Sequence, residues 1–404
     1  MAKTWLHAPR AIVGDGKTVL TSAWVAFEGK YITDVVSRRP EGVPPQDIIE
    51  LGDVTLTPGL LNIHDHISRK SLRFPAPGKT FGECATALMA HEHTYLILHS
   101  YNNMMHYLQS EGITYVRDQG LTGYTCIELR RAIDDGVVVG PYISACGMSL
   151  SITGGHCYRQ SMECDGVDAV RKAVRTQINK GADVIKFMGS GGLEHFPSED
   201  PNAPQFTLEE LAAGTEVAHD LGVDCAVHAY SNEGIRRAVL AGIDNIEHGC
   251  MMTEDLIEEM AKRGTHLNPT MTGIRGAAKA GPNIKYWDML QERVFGRQEQ
   301  GMRWAKQAGI LIGAGTDTAG TLRDEIKMIG ETLGETPVQA LEHALGINAK
   351  IARRPDMGLL KEGCLANLAA FGGDLTKSLE CLKDVLQTWK DGIPCKTNPS
   401  YEVR

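Results

Sequence analysis

The sequence predicts an α/β protein built on a parallel (β/α)8 barrel, the TIM-barrel fold, with a small β-sandwich domain attached. The length of 404 residues exceeds one average domain and suits a large barrel with a smaller companion. Short apolar runs alternate with helix-like stretches over residues 58–355, which we predict to be the barrel. Residues 1–57 and 356–404 instead show short strand patterns with glycine at the turns. Neither end is long enough for a core of its own, so we expect the two ends to form the β-sandwich domain together.

Eight strands are predicted in the barrel, and each is a short run of apolar or β-branched residues. They cover residues 60–66, 112–118, 142–147, 182–188, 224–230, 245–249, 266–271 and 310–317. The clearest helices between them cover residues 167–182, 207–223 and 253–265, where apolar residues recur about every 3.6 positions and the pattern stops near a glycine. Strands that alternate with helices in this way favour a parallel sheet.

The composition is that of a globular protein, with 42% hydrophobic and 23% charged residues. A net charge of −9 argues against nucleic acid or an anionic membrane as a partner. The first residues lack the apolar core of a signal peptide, and the ten cysteines form no Cys-x-x-Cys pair. We therefore expect a cytoplasmic protein that acts on a small-molecule substrate. A homo-oligomer stays open, because large barrels commonly self-associate.

Polar residues with metal-binding chemistry stand where the predicted strands end. His64 and His66 close the first strand and point to the same side, because side chains alternate along a strand. Four later strands carry one such residue each at the corresponding position near the strand end, namely Lys186, His228, His248 and Asp317. Barrel enzymes build their sites at these strand ends. A lone histidine here is more often structural, but one metal site explains every member of the set.

Lys186 does not fit a simple metal site, because an ammonium group repels cations. It is either a salt-bridge partner or a chemically altered side chain. Eight other histidines are predicted to be structural, namely His7, His91, His93, His99, His106, His219, His266 and His343. Of these, His91 and His93 repeat the His-x-His form but follow no strand.

Several motifs together resemble the amidohydrolase superfamily, and the likeness extends over nearly the whole chain. They are "TPGLLNIHDH" at 57–66, "SITGGH" at 151–156, "GADVIKFMGSGG" at 181–192, "APQFTLEEL" at 203–211, "VHAYSNEGIRRAVLAGIDNIEHG" at 227–249 and "GTDT" at 315–318. The branch they resemble holds Xaa-Pro and Xaa-Arg/Lys dipeptidases and imidazolonepropionase-like proteins. The motifs are specific for the superfamily and much less so for the substrate.

The resemblance implies a centre of two divalent metal ions. His64 and His66 would hold the first ion together with Asp317, whereas His228 and His248 would hold the second. Lys186 would be carboxylated on its ε-nitrogen, and the carbamate would bridge both ions, which turns a cation into an anionic ligand. Imidazoles and oxygen anions favour Zn²⁺, and Mn²⁺, Co²⁺ and Fe²⁺ are alternatives.

The resemblance also implies a mechanism, in which the two ions acidify a shared water and supply hydroxide. Asp317 would take the proton and pass it to the leaving amine. His156 and Tyr230 would contact the substrate, although a capping histidine and an ordinary buried aromatic are about equally good interpretations of their positions. Gly189, Gly191 and Gly192 would let the backbone turn close to the pocket.

We therefore expect hydrolysis of an amide or peptide-type C–N bond, with dipeptides or N-acyl amino acids favoured. One alternative is a cyclic-amide hydrolase, against which the bridging lysine argues. An esterase or lactonase on the same two-metal site is another. A non-catalytic scaffold is disfavoured because all six ligands are intact. Residues 69–110 and 274–300 are predicted to form much of the wall that selects the substrate.

Overall fold

The computed structural model describes residues 3–69, 78–120 and 123–395 of the chain. The strands before the first predicted barrel strand are β1 (Thr4–Ile12), β2 (Val19–Glu28), β3 (Tyr31–Val36), β4 (Ile48–Glu50) and β5 (Val54–Pro58). The central strands are β6 (Leu60–Asp65), β7 (Ile113–Asp118), β8 (Tyr142–Ala145), β9 (Leu150–Ser151), β10 (Met162–Glu163), β11 (Val184–Met188), β12 (Asp224–Ala229), β13 (Asn245–His248) and β14 (His266–Asn268). The last strands are β15 (Leu368–Gly372), β16 (Val385–Lys390) and β17 (Ile393–Cys395).

The two ends of the chain meet in one sheet. Its strand order is β17-β16-β15-β5-β1-β2-β3, with β4 paired to β1. β15 runs antiparallel to β5, with Leu368 opposite Pro58, so the end of the chain closes against its beginning. Leu6, Leu56 and Leu368 are completely buried in a core shared by the two ends. That shared core is what their short lengths require. The division into two domains at residues 57/58 and 355/356 stays a prediction.

The parallel strands form a barrel-like arrangement in two sheets rather than one continuous sheet. One sheet is β6-β7-β8 and the other is β10-β9-β11-β12-β13-β14. Residues 310–317, the predicted eighth strand, join the two sheets only through isolated parallel bridges, Leu267 to Ile312 and Asp65 to Asp317. This segment contains Gly313 and Gly315, which weaken regular strand pairing. Seven of the eight predicted strands are therefore found as regular strands in the described residues, and the eighth is found as bridges.

The helices surround these strands. They are α1 (Phe81–Met89), α2 (His93–His106), α3 (Thr125–Asp134), α4 (Val167–Lys180), α5 (Leu208–Asp220), α6 (Asn232–Leu240), α7 (Glu254–Arg263), α8 (Met271–Lys279), α9 (Trp287–Leu290), α10 (Gly296–Gln307), α11 (Leu322–Leu333), α12 (Pro337–Glu342) and α13 (Gly346–Ile351). Helix α5 begins with a capping box, in which Thr207 and Glu210 satisfy each other's backbone amides. Within the described part of the chain, no helix has both the length and the apolar character that crossing a membrane would require.

Alternation along the central strands separates the core from the site. On β11, Ile185 and Phe187 are completely buried in the hydrophobic core. Phe187 packs against α5 so tightly that a Cβ on Gly214 would lie 2.6 Å from its ring. Because neighbouring side chains on a strand point to opposite faces, Lys186 points away from this helix layer, towards the inside of the strands.

Candidate metal centre

Strand register brings the predicted ligands to one cavity. On adjacent strands, Met188 lies opposite His228, and Ala229, the residue after His228, lies opposite His248, which places both histidines at the same end of the strands. The cavity at this end is lined by five of the predicted ligands, namely His66, Lys186, His228, His248 and Asp317. His64 lies directly beside them, with its ring centroid 5.5 Å from that of His66 and 5.2 Å from that of His248. The six residues are thus neighbours, and their role as ligands stays a prediction.

Three of the imidazoles are held through their Nδ1 atoms. The partners are Glu247 Oε2 at 2.6 Å for His64, the carbonyl of Gly120 at 2.7 Å for His66, and Thr270 Oγ1 at 2.5 Å for His248. A hydrogen bond donated by Nδ1 places the lone pair on Nε2, the tautomer that metal-binding histidines commonly adopt. His64 Nε2 is buried and has no hydrogen-bond partner among the described residues. This orphaned nitrogen fits a metal ligand, because a buried nitrogen is costly when it contacts nothing.

His228 is held through its Nε2 atom instead of Nδ1. Its Nε2 donates to the carbonyl of Gly191 at 3.2 Å, which leaves Nδ1 with the lone pair. The neighbouring glycine allows this close approach, since a Cβ on Gly192 would lie 2.6 Å from His156 Cε1 and 3.0 Å from His228 Nε2. A Cβ on Gly189 or Gly191 would also meet atoms at 2.7 Å or less. Of these three glycines, Gly192 is the one whose added Cβ would meet rings that line the cavity, and the role of Gly189 and Gly191 stays a prediction.

Burial sets the charge of the nitrogen groups. Desolvation lowers the pKa of His64, His66, His228 and His248 well below the usual histidine value, so these rings are neutral. Neutral imidazole is the form that binds metal. Burial also lowers the pKa of Lys186, against the opposing effect of Glu247 and Asp317. The interpretation of Lys186 as a chemically altered side chain stays a prediction.

Asp317 lies beside two of the predicted ligands, and its role as a proton carrier stays a prediction. Its Oδ1 lies 3.5 Å from Nε2 of His66, and its backbone amide donates to the carbonyl of His64 at 2.8 Å. Burial raises the pKa of this carboxyl to about 6, although Arg69 and Lys186 lower it. A carboxyl with a pKa near neutrality can both accept and release a proton.

His156 and Tyr230, the two predicted substrate contacts, both line the cavity. The ring of His156 stacks on that of His228 with 4.0 Å between centroids, and the ring of Tyr230 lies 4.9 Å from it. His156 Nδ1 lies 2.6 Å from Oε1 of Glu199. Burial lowers the pKa of His156, but the neighbouring Cys157 and Glu199 raise it by a larger amount. The net pKa therefore lies well above the usual histidine value. A cationic imidazole therefore faces the cavity beside the neutral ones.

The cavity also contains residues that the sequence patterns did not single out. Arg69 pairs with Glu194 at 3.1 Å, and Glu194 accepts a hydrogen bond from the thiol of Cys157 at 3.0 Å. One residue of each predicted wall segment lines the cavity, Arg69 of residues 69–110 and Ala277 of residues 274–300. Residues 70–77 of the first segment lie outside the described residues. The only sequence signal for Arg69 was its place three residues after His66. Glu194 had none.

The fold and the site together point to a known family. A model of the amidohydrolase family matches residues 55–395, so the chain belongs to the amidohydrolase family. The resemblance predicted from the motifs is thereby confirmed. Members of this family generally depend on metal ions.

Particular relatives are similar to this chain. Ochratoxinase from Aspergillus niger is 32% identical over 317 residues, an alignment that covers 70% of this chain and only 65% of that relative's length. The crystal structure of A. niger ochratoxinase superimposes with a TM-score of 0.85 at 27% identity, covering 100% of this chain and 99% of that one. The structure of a Xaa-Pro dipeptidase with bound methionine in its active site gives a TM-score of 0.82 at 28% identity, covering 97% of this chain and 99% of that one.

Proposed function

We propose that this protein is a two-metal amidohydrolase that cleaves the amide bond of dipeptides or N-acyl amino acids. The observation that supports it best is the grouping of the six predicted ligands at one cavity. Their imidazoles are neutral, and three of them are held through Nδ1, which leaves Nε2 to bind a metal ion. The proposal includes the closed (β/α)8 barrel, with residues 310–317 as its eighth strand. It also agrees with the similarity of the chain to a Xaa-Pro dipeptidase and to ochratoxinase.

Two divalent ions, with Zn²⁺ favoured, suit this set of nitrogen and oxygen donors. His64, His66 and Asp317 would hold one ion, and His228 and His248 would hold the other. When bound, the ions would acidify a water molecule and polarise the carbonyl of the substrate.

Carboxylated Lys186 would complete the centre. The lone pair of Nζ attacks the carbon of CO₂, an N–C bond forms, and one proton leaves, which gives a carbamate anion. Only the neutral amine has that lone pair. Burial favours the neutral form, because it lowers the pKa of Lys186.

The protein's own groups would move the proton and hold the substrate. Asp317 would accept a proton from the attacking water and donate it to the departing amine nitrogen, a double role that a pKa of about 6 suits. The cationic His156 would attract the free carboxylate that dipeptides and N-acyl amino acids share. Tyr230 lines the cavity with its ring 4.9 Å from that of His228 and 5.1 Å from that of His248, and it would pack against the substrate.

The test is hydrolysis of a panel of dipeptides, N-acyl amino acids, cyclic amides, esters and lactones by protein loaded with Zn²⁺ and bicarbonate. The carboxylic acid product is measured by liquid chromatography for every substrate, and amine release is measured in addition for the open-chain amides. We expect turnover of the first two groups and its loss in Asp317→Asn, whereas Asp220→Asn, an exposed carboxylate on α5, should behave as the wild type. If only cyclic amides, esters or lactones were hydrolysed, the proposed substrate class would be wrong and that group would take its place. A protein that binds no metal would overturn the two-metal centre.

A further inference from the structure

Three residues at the candidate metal centre have a left-handed backbone although none of them is glycine. They are His248 with φ of 71°, Thr270 with φ of 46° and Asp317 with φ of 56°. Side chains with a Cβ are strained in this region, and such strain persists only where the surroundings hold it. The groups that hold these residues therefore bear on the geometry of the site.

Gln298 holds His248 and the loop after β14 from one side. This side chain of α10 is completely buried, and its Nε2 donates to the carbonyl of His248 at 2.8 Å and to that of Pro269 at 2.7 Å. The hydroxyl of Thr270 donates to the same Pro269 carbonyl at 2.8 Å, so its oxygen is free to accept from Nδ1 of His248. One amide thus joins the end of β13 to the group that orients the His248 ring.

Glu325 holds the next turn of the same loop from the other side. This carboxylate of α11 is also completely buried. It accepts from the backbone amides of Met271 and Thr272, each at 2.8 Å, and from the Thr272 hydroxyl at 2.9 Å. These amides belong to the first turn of α8, where no partner within the helix is available.

The first turn of α8 also supports Asp317. A Cβ on Gly273 would lie 2.4 Å from Cβ of Asp317, so the helix start packs directly on that residue. Glu325 therefore acts next to both Thr270 and Asp317. Gln298 instead bonds the carbonyls of His248 and Pro269, and it reaches Thr270 through the shared Pro269 carbonyl.

We propose that Gln298 and Glu325 are positioning residues, which hold the strained loop ends so that His248 and Asp317 keep the geometry of metal ligands. This inference rests on the proposed two-metal function. It assigns a role to two helices outside the cavity, and neither side chain lines it. The different contacts predict different effects: loss of Gln298 disturbs the ion held by His248, and loss of Glu325 disturbs both ions.

The test is titration of the metal-free protein with Co²⁺, whose visible absorption reports the coordination geometry of each ion. Gln298→Met removes the amide while keeping the volume, and Glu325→Gln places an NH₂ group against a backbone amide. Their matched controls are Gln300→Met on α10 and Glu331→Gln on α11, both exposed on the same helices. If either variant does not fold, Thr270→Val, which removes the hydroxyl that links Gln298 to His248, takes its place.

We expect roughly 10- to 100-fold weaker Co²⁺ binding with an altered spectrum, the range found when outer contacts of metal ligands are removed. Gln298→Met should affect one ion and Glu325→Gln both, with the controls unchanged and far-ultraviolet circular dichroism preserved. Co²⁺ affinities and spectra equal to those of the wild type in both variants would overturn the proposal, and so would a wild-type protein that binds no Co²⁺. A wild type that binds two ions but cleaves no amide would contradict the proposed reaction and leave the positioning result standing.

Discussion

Nδ1 of His64 lies 2.6 Å from Oε2 of Glu247, and both side chains are buried away from solvent. The two residues are 183 positions apart and belong to β6 and β13. Glu247 is also within 3.3 Å of the side-chain amide of Gln119, so it is held on more than one side. A buried carboxylate in this position fixes the histidine tautomer and makes Nε2 a better ligand.

Replacing Glu247 by Gln should therefore weaken Zn²⁺ binding by roughly 10- to 100-fold, because the amide accepts a weaker hydrogen bond from His64. The dissociation constant is measured by competition with a chromophoric chelator. Glu258→Gln, an exposed change on α7, is the control. An unchanged Zn²⁺ affinity in the Glu247 variant would show that this carboxylate does not support the ligand.

Lys186→Met should abolish the incorporation of label from ¹³C-bicarbonate and weaken metal binding by roughly 100-fold or more, because the bridging anion is lost. The label is followed by ¹³C NMR of the metal-loaded protein. Lys262→Met, in which an exposed lysine of α7 is changed, should take up label as the wild type does. Equal incorporation in the Lys186 variant would place the carbamate elsewhere or rule it out.

Gly192→Ala should disturb the site, since the added Cβ meets the rings of His156 and His228 at 3.0 Å or less. We expect a loss of about 1–3 kcal/mol in the free energy of unfolding and weaker metal binding. Gly296→Ala is the matched control, because that glycine is helical and an added Cβ would meet only one atom, at 3.4 Å. There we expect a gain of about 0.5–1 kcal/mol, measured by urea denaturation. A fully stable, metal-binding Gly192 variant would contradict the close packing.

Glu194→Gln should destabilise the protein in a pH-dependent manner. Burial raises the pKa of Glu194, but Arg69 and His156 lower it by a larger amount. The net pKa is therefore about 2 instead of the usual 4.5. A carboxyl with a depressed pKa stabilises the folded state above pH 4.5, and this contribution is lost as the pH falls towards 2. The shift corresponds to about 3 kcal/mol.

The difference in unfolding free energy between wild type and Glu194→Gln should thus be largest near pH 7 and shrink below pH 4.5. Chemical denaturation at several pH values measures it. Glu259→Gln removes a half-exposed partner of Arg263 and should change little at any pH. A difference for Glu194 that does not depend on pH would mean that its charge contributes nothing to folding.

Much of the candidate site follows from local sequence. Carboxyl ends of parallel strands meet at one edge, so strand assignment alone grouped His64, His66, Lys186, His228, His248 and Asp317. The family followed from short motifs, and the family match confirmed it. The eighth strand was predicted as a regular strand and is found only as isolated bridges. Its glycines, Gly313 and Gly315, pack closely against β6, and this tertiary contact could not be predicted from the local pattern.

The sequence by itself predicted most of the strand and helix pattern, the family and five of the residues that line the cavity as metal ligands, since each prediction depends on residues close together in the chain. Only the tertiary structure decided which groups orient those residues. Glu247 beside His64, Gln298 beside His248 and Arg69 beside Glu194 are pairs that no local pattern connects. The physical reason is that a hydrogen bond requires its donor and acceptor to lie within about 3 Å, and only the packing of separate strands and helices sets that distance.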